Sequence, residues 1–99
     1  MNNNFIKQLA IKYNLQIDDP YAEVPQGWEN LLEDLVKDIC NLNWDRKVSC
    51  IKEKFGGLRF YIDRGSSEVH NRIRLAEQKS TTICEFCGNS KGNNFNVTY

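Results

Sequence analysis

Apolar residues recur at helical spacing most regularly in the segment that begins at Trp28. They fall at i, i+3, i+4, i+7, i+8, i+11 and i+12, and polar residues fill the other side. The apolar members are Trp28, Leu31, Leu32, Leu35, Val36, Ile39 and Cys40. This spacing predicts an amphipathic helix whose apolar stripe faces the core of a small domain. A shorter helical pattern over residues 2–15 predicts an earlier helix, with Asn2 to Asn4 as candidate caps.

Alternating apolar and polar residues replace this spacing over residues 48–63 and predict a β-hairpin. Gly56-Gly57 is predicted to form its two-residue turn, because such turns need positive φ angles. Lys54 would then lie opposite Arg59. The predicted apolar face holds Ile51, Phe55, Leu58, Phe60 and Ile62, with Glu53 as an exception, and the opposite face holds Lys52, Lys54, Arg59 and Tyr61.

A third helix is predicted over residues 66–79, with Ser66 or Ser67 as its cap and Glu68 and Arg72 as an i,i+4 pair. A Cys84-x-x-Cys87 knuckle follows it. The expected fold is therefore α+β, with two N-terminal helices, a β-hairpin, a third helix and a C-terminal knuckle. The length of 99 residues predicts that residues 1–99 form a single domain.

The balance of charged residues bears on whether the protein binds nucleic acid or membranes. Thirteen basic and thirteen acidic residues cancel, so we expect no global attraction to nucleic acid or membrane, and an anion site would be local. The sequence shows no apolar export segment and no apolar run long enough to span a membrane. We therefore expect a cytoplasmic protein whose four cysteines are thiols or metal ligands rather than disulfides.

The polar face of the hairpin is the candidate ligand site. Like charges in opposed positions destabilise a sheet, and a bound anion would offset the repulsion between Lys54 and Arg59. The amides of Gly56 and Gly57 would add donors, Lys52 a further cation, and Tyr61 a ring that can stack on a base. The alternative interpretation is a solvated sheet face whose lysines keep the edge soluble.

Cys84-x-x-Cys87-Gly88 has the spacing of half a zinc knuckle. Two more ligands are needed, and the candidates are Cys40, Cys50 and His70. A zinc site within one chain, a metal-free knuckle, a redox pair and zinc shared between two chains, as in a homo-oligomer, all remain open. We predict no stoichiometric zinc in the monomer.

Few residues suit catalysis. The single histidine, His70, is predicted to lie on a solvent-facing helix, and Glu53 is the one carboxylate whose position on the apolar face suggests burial. We therefore predict that the protein is not an enzyme. A small hydrolase that uses Glu53 or His70 is the alternative.

The residues discussed so far resemble a family of small uncharacterised phage and prophage proteins. The resemblance rests on Gly27-Trp28 with the leucine-rich helix, the hairpin block IKEKFGGLRFY from Ile51 to Tyr61, and Cys84-x-x-Cys87-Gly88. It implies an accessory role in an infected host. By analogy, the expected function is a counter-defence inhibitor that binds an anionic, nucleotide-like small molecule or a host protein. The alternative is a nucleic-acid-binding regulator with a zinc-knuckle-like C-terminus.

Overall fold

The helices and strands follow one another in a mixed α+β order. A computed structural model describes residues 3–89. Its elements are α1 (Asn3–Tyr13), β1 (Gln16–Ile17), a 3-10 turn (Gln26–Trp28), α2 (Glu29–Cys40), β2 (Lys47–Lys54), β3 (Gly57–Ile62) and α3 (Ser67–Ser80). The predicted α+β class is confirmed. The suggested Asn2 cap lies outside the described residues. None of the helices described is long and apolar enough to cross a lipid bilayer.

The apolar stripe of α2 forms the centre of the core, as its spacing predicts. Leu32, Val36 and Ile39 are fully buried, and so is Trp28 immediately before the helix. α2 contacts both α1 and α3. Arg72 joins the two later helices, since its guanidinium donates to both carboxylate oxygens of Asp38 at 2.7 and 2.6 Å.

α3 begins and ends within one residue of its predicted bounds. Ser66 is its cap, with the hydroxyl accepting a hydrogen bond from the Val69 amide at 3.3 Å. The expected pair forms as well, because Arg72 donates to Glu68 at 2.9 Å. α3 packs against both β3 and α2, and its buried side carries Val69, Ile73 and Ala76.

The sheet contains a strand that the sequence pattern did not predict. The strand order is β1-β2-β3, and β1 runs parallel to β2 through the pairs Gln16 with Lys47 and Ile17 with Val48. A parallel pair needs a long crossover connection, and α2 lies within it. β1 is only two residues long, too short to show an alternating pattern.

The hairpin turn lies one residue earlier than predicted. Phe55 and Gly56 have φ angles of 55° and 79°, and Lys54 pairs with Gly57. Positive φ at both central residues is typical of a type I′ turn, so the turn is Phe55-Gly56 and the Gly56-Gly57 prediction is wrong. Gly57 is instead the first residue of β3.

α3 explains why this register is preferred. The outward amides of the edge strand β3 donate to α3, Leu58 to the Ser80 hydroxyl at 2.8 Å and Phe60 to a Glu77 carboxylate oxygen at 3.0 Å. A turn at Gly56-Gly57 would aim the Leu58 amide at β2 instead, because inward and outward amides alternate along a strand. The Ser80 hydroxyl and the Glu77 carboxylate accept from the Leu58 and Phe60 amides only in the observed register, where these amides point away from β2.

The predicted and observed registers place the same residues on each face of the hairpin. Moving the turn by one residue moves each cross-strand partner by two, which keeps the sidedness of residues 50–54 and 57–61. The register shifts between Val48 and Cys50, and Val48 is buried. Leu58 and Phe60 are buried as predicted, and Ile62 is half-buried. Phe55 is a wrong prediction, since it sits in the turn and is 89% exposed. Glu53 is also exposed rather than buried.

Phe55 occupies an unfavourable backbone conformation, which gives a test of the turn. An L-residue other than glycine, asparagine or aspartate loses about 1 to 2 kcal/mol in the left-handed region. Phe55→Asn creates the Asn-Gly pair that type I′ turns favour. We expect it to raise the free energy of unfolding by about 0.5 to 1 kcal/mol in urea titrations, after loss of any contact with Lys54. Phe55→Leu is the control and should give no gain; equal stability of both variants would contradict the turn.

Candidate functional site

Four of the predicted ligand residues, Lys52 and Lys54 of β2 and Arg59 and Tyr61 of β3, lie on one face of the hairpin, which we call the basic face. Cys50 of β2 lies on the same face. Lys52 is directly opposite Arg59, and Cys50 is opposite Tyr61. The predicted opposition of Lys54 and Arg59 is wrong, because Lys54 faces Gly57. A directly opposed pair of cations is still present, but it is formed by Lys52 and Arg59.

The cations of the basic face lack acidic partners in the described part of the chain. Lys52 and Lys54 are exposed and Arg59 is half-buried. The salt bridges found among residues 3–89 involve other cations, Lys12 and Arg72. Lys52 and Arg59 repel each other, and this repulsion lowers the stability of the sheet.

Gly57 leaves room for the Arg59 side chain. A Cβ at Gly57 would lie 3.8 Å from Nη1 of Arg59 and 3.6 Å from the Thr81 methyl group. The Arg59 guanidinium therefore lies close to Gly57, which is the residue opposite Lys54. Lys52 is opposite Arg59 and Lys54 is opposite Gly57, so the three cations occupy neighbouring positions on the turn half of the basic face.

The turn amides are less available than predicted. The Gly56 amide donates to a Glu53 carboxylate oxygen at 2.8 Å, and Gly57 is paired with Lys54 in the ladder. Their predicted role as anion donors is therefore not supported by this geometry. An anion on the basic face would contact side chains.

The end of the basic face away from the turn carries an acidic group. The Cys50 thiol donates to a carboxylate oxygen of Asp19 at 3.3 Å, and the other oxygen accepts from the Tyr21 amide at 2.9 Å. Burial, with the hydrogen bond to Asp19, raises the pKa of Cys50. The face is thus polarised, with cations at the turn and Asp19 at the far end.

A cleft that the sequence pattern did not indicate adjoins Lys52. Its volume is about 540 Å³, and its lining comprises Tyr21, Glu23, Val24, Pro25, Gln26, Lys52 and Glu53. The loop after β1 runs along the edge of β2, where the Glu23 amide donates to the Ile51 carbonyl at 3.2 Å. This contact places the ring of Tyr21, which is 84% exposed, beside the hairpin. The local signals for this loop are Asp18-Asp19-Pro20 and Val24-Pro25-Gln26-Gly27, because neither proline can lie inside a helix.

The cysteine pair forms an ordered knuckle. The amides of Phe86 and Cys87 point at Sγ of Cys84 at 3.4 and 3.5 Å, and the Gly88 amide donates to the Cys84 carbonyl at 3.0 Å. Gly88 adopts a φ of 79°, which a glycine tolerates without strain. The amides of Cys87 and Phe86 lower the pKa of the Cys84 thiol, because they stabilise its thiolate.

The knuckle is docked against the start of α2. The Gly27 amide donates to the Glu85 carbonyl at 2.7 Å, and the Trp28 indole nitrogen donates to the Ile83 carbonyl at 3.2 Å. A Cβ at Gly27 would lie 2.1 Å from the Cys84 carbonyl oxygen. Gly27 and Trp28 therefore form the surface against which the knuckle packs.

The other candidate zinc ligands lie elsewhere. Cys40 packs against the core, where burial raises its pKa, and Cys50 is hydrogen-bonded to Asp19. His70 is on the exposed side of α3. Residues 3–89 contain no group of three or more His, Cys, Asp or Glu side chains placed to hold a metal ion. Cys84 and Cys87 can supply two metal ligands. The absence of stoichiometric zinc from the monomer stays a prediction.

Comparison with known proteins adds no relative from which a function could be taken. No protein-family model matches the chain, and comparison with curated proteins and with solved structures found no match.

Proposed function

We propose that this chain is a non-catalytic binding module whose basic face holds a phosphate-bearing, nucleotide-like ligand. The observation that supports this most is the direct opposition of Lys52 and Arg59 without a carboxylate partner among the described residues. An anion between them would replace repulsion by two charge-assisted hydrogen bonds. Lys54 lies on the same face and would add a third positive charge.

The polarity of the basic face orients the ligand. The phosphate of the ligand would lie near the turn, beside Lys52, Lys54 and Arg59, and away from the carboxylate of Asp19. Tyr61 lies two residues beyond Arg59 and is 46% exposed, so its ring is available to stack on a base. Two residues of a strand span roughly 7 Å, comparable with the length of a nucleoside monophosphate. If the chain is phage-encoded, as the resemblance implies, sequestering a nucleotide signal would make it a counter-defence inhibitor.

A melting experiment tests the site. The wild-type chain is heated with nucleotides, cyclic nucleotides and short oligonucleotides. A ligand that binds only the folded state at 100 times its Kd adds about 2.7 kcal/mol. In a domain of this size that gain raises Tm by about 10 °C or more. Arg59→Ala should abolish the shift, and the free variant should be at least as stable as wild type, since one of two repelling charges is gone.

Arg64→Ala is the matched control, because it removes the same charge from an exposed position just after β3. It should keep the full ligand shift. The salt dependence separates the ligand classes, because the affinity of a polyanion falls steeply with salt while that of a single nucleotide changes less. The proposal fails if none of these anions shifts the wild type, or if Arg59→Ala alone strongly destabilises the free protein.

A further inference from the structure

We infer that Cys84 and Cys87 form half of a zinc site, and that two copies of this chain complete it with four thiolates around one ion. The site is independent of the basic face and of the ligand proposed there. Three features support it: the geometry of the knuckle, the way the fold holds it, and the ligands that each copy can offer.

The loop is already shaped around the sulfur of Cys84. Two amides point at this sulfur, at 3.4 Å from Phe86 and 3.5 Å from Cys87. Gly88 closes the curve through its bond to the Cys84 carbonyl and its left-handed backbone. Hydrogen bonds of this kind hold a coordinating sulfur in a fixed position.

The fold also fixes the knuckle in place. Gly27 and Trp28 each bond to its backbone, and the absence of a side chain at Gly27 allows the close approach. Two sulfurs on a docked loop lose little conformational freedom when they bind a metal ion. The same pair on an unanchored segment would first have to be ordered, which weakens binding.

Each copy offers two thiolates, whereas a structural zinc site takes four ligands in tetrahedral geometry. The described residues bring no third His, Cys, Asp or Glu side chain to the pair. The sequence over residues 90–99 includes none of these four residue types. Two thiolates from each of two copies therefore give a complete set of four cysteine ligands.

A second copy can reach the site because the knuckle lies at the surface. Cys87 is exposed, and the neighbouring Phe86 ring is 84% exposed. A twofold axis through the ion would place the same surface of both copies face to face, which is the commonest arrangement in homodimers. Burying the two Phe86 rings would favour association. The formal net charge of zero adds no overall repulsion between copies.

Zinc titration of the whole chain under reducing conditions tests this inference, with native mass spectrometry as the readout. We expect a dimer that carries one zinc ion per two chains and returns to monomer when a chelator is added. Cobalt in place of zinc should give the absorption spectrum of a tetrahedral four-thiolate site. Cys84→Ser and Cys87→Ser should each abolish zinc-dependent dimerisation.

Cys50→Ser is the control, since it removes one thiol and leaves the knuckle intact. It should dimerise with zinc as the wild type does. The inference is wrong if zinc binds one per monomer, if no zinc binds, if the dimer forms equally well without metal, or if Cys50→Ser is as defective as Cys87→Ser. A failure here would leave the anion site on the basic face untouched, because that site is tested without zinc.

Discussion

Replacing Phe60 by alanine should lower the free energy of unfolding by about 3 to 5 kcal/mol. Phe60 is 2% exposed and pairs with Ile51, which is fully buried. α3 packs against β3, so the lost ring would leave a cavity between a helix and a strand that cannot collapse freely. Urea unfolding monitored by circular dichroism measures the change, and Phe60→Leu should lose much less.

Phe55→Ala is the matched control because it removes the same side chain from the same hairpin. At 89% exposure, its loss should change stability by no more than about 0.5 kcal/mol. The comparison also tests the register, since a turn at Gly56-Gly57 would bury Phe55. Comparable destabilisation by the two alanine variants would contradict the structure.

The helices could be predicted because their signals are local. The stripe of α2 spans three turns, and a core face is the simplest use of such a stripe. The sidedness of the hairpin could also be predicted, since it depends only on the alternation of residues. For the same reason the grouping of Lys52, Lys54, Arg59 and Tyr61 on one face is correct even though the turn is wrong.

The position of the turn could not be read from the hairpin alone. Both Phe55-Gly56 and Gly56-Gly57 contain a glycine at the second position, and the paired glycines favoured the wrong choice. The register depends on Ser80, whose hydroxyl accepts from the Leu58 amide at 2.8 Å across 22 residues of sequence. No local pattern reports such a contact.

Long-range contacts also explain what was missed at the candidate sites. Tyr21 reaches the hairpin through a loop whose pairing with β2 has no sequence periodicity. Gly27 contacts Glu85 of the knuckle, and no local pattern connects two segments so far apart in sequence. The ligand, the counter-defence role and the absence of catalysis stay predictions.

Gly27→Ala should destabilise the protein by about 1 to 3 kcal/mol. The added methyl group would lie 2.1 Å from the Cys84 carbonyl oxygen and 2.7 Å from the Gly88 amide nitrogen. These atoms belong to the backbone, so no side chain can rotate to make space. If the knuckle stays in place, overpacking costs about 1 to 3 kcal/mol. If the knuckle moves away instead, the hydrogen bonds to the Glu85 and Ile83 carbonyls are lost at about 0.5 to 1.5 kcal/mol each, which is a similar total.

Gly57→Ala adds the same methyl group where the nearest atoms are 3.6 to 3.8 Å away, which is ordinary contact. It should therefore be close to wild type in urea unfolding. Hydrogen exchange identifies the cause, because the amide at position 27 bonds to the Glu85 carbonyl at 2.7 Å and should exchange much faster in Gly27→Ala alone. Knuckle amides at Phe86 and Cys87 should lose protection with it, since they depend on the docked loop. Equal stability and equal exchange in the two variants would show that Gly27 does not hold the knuckle, and would remove the anchoring on which the shared zinc site depends.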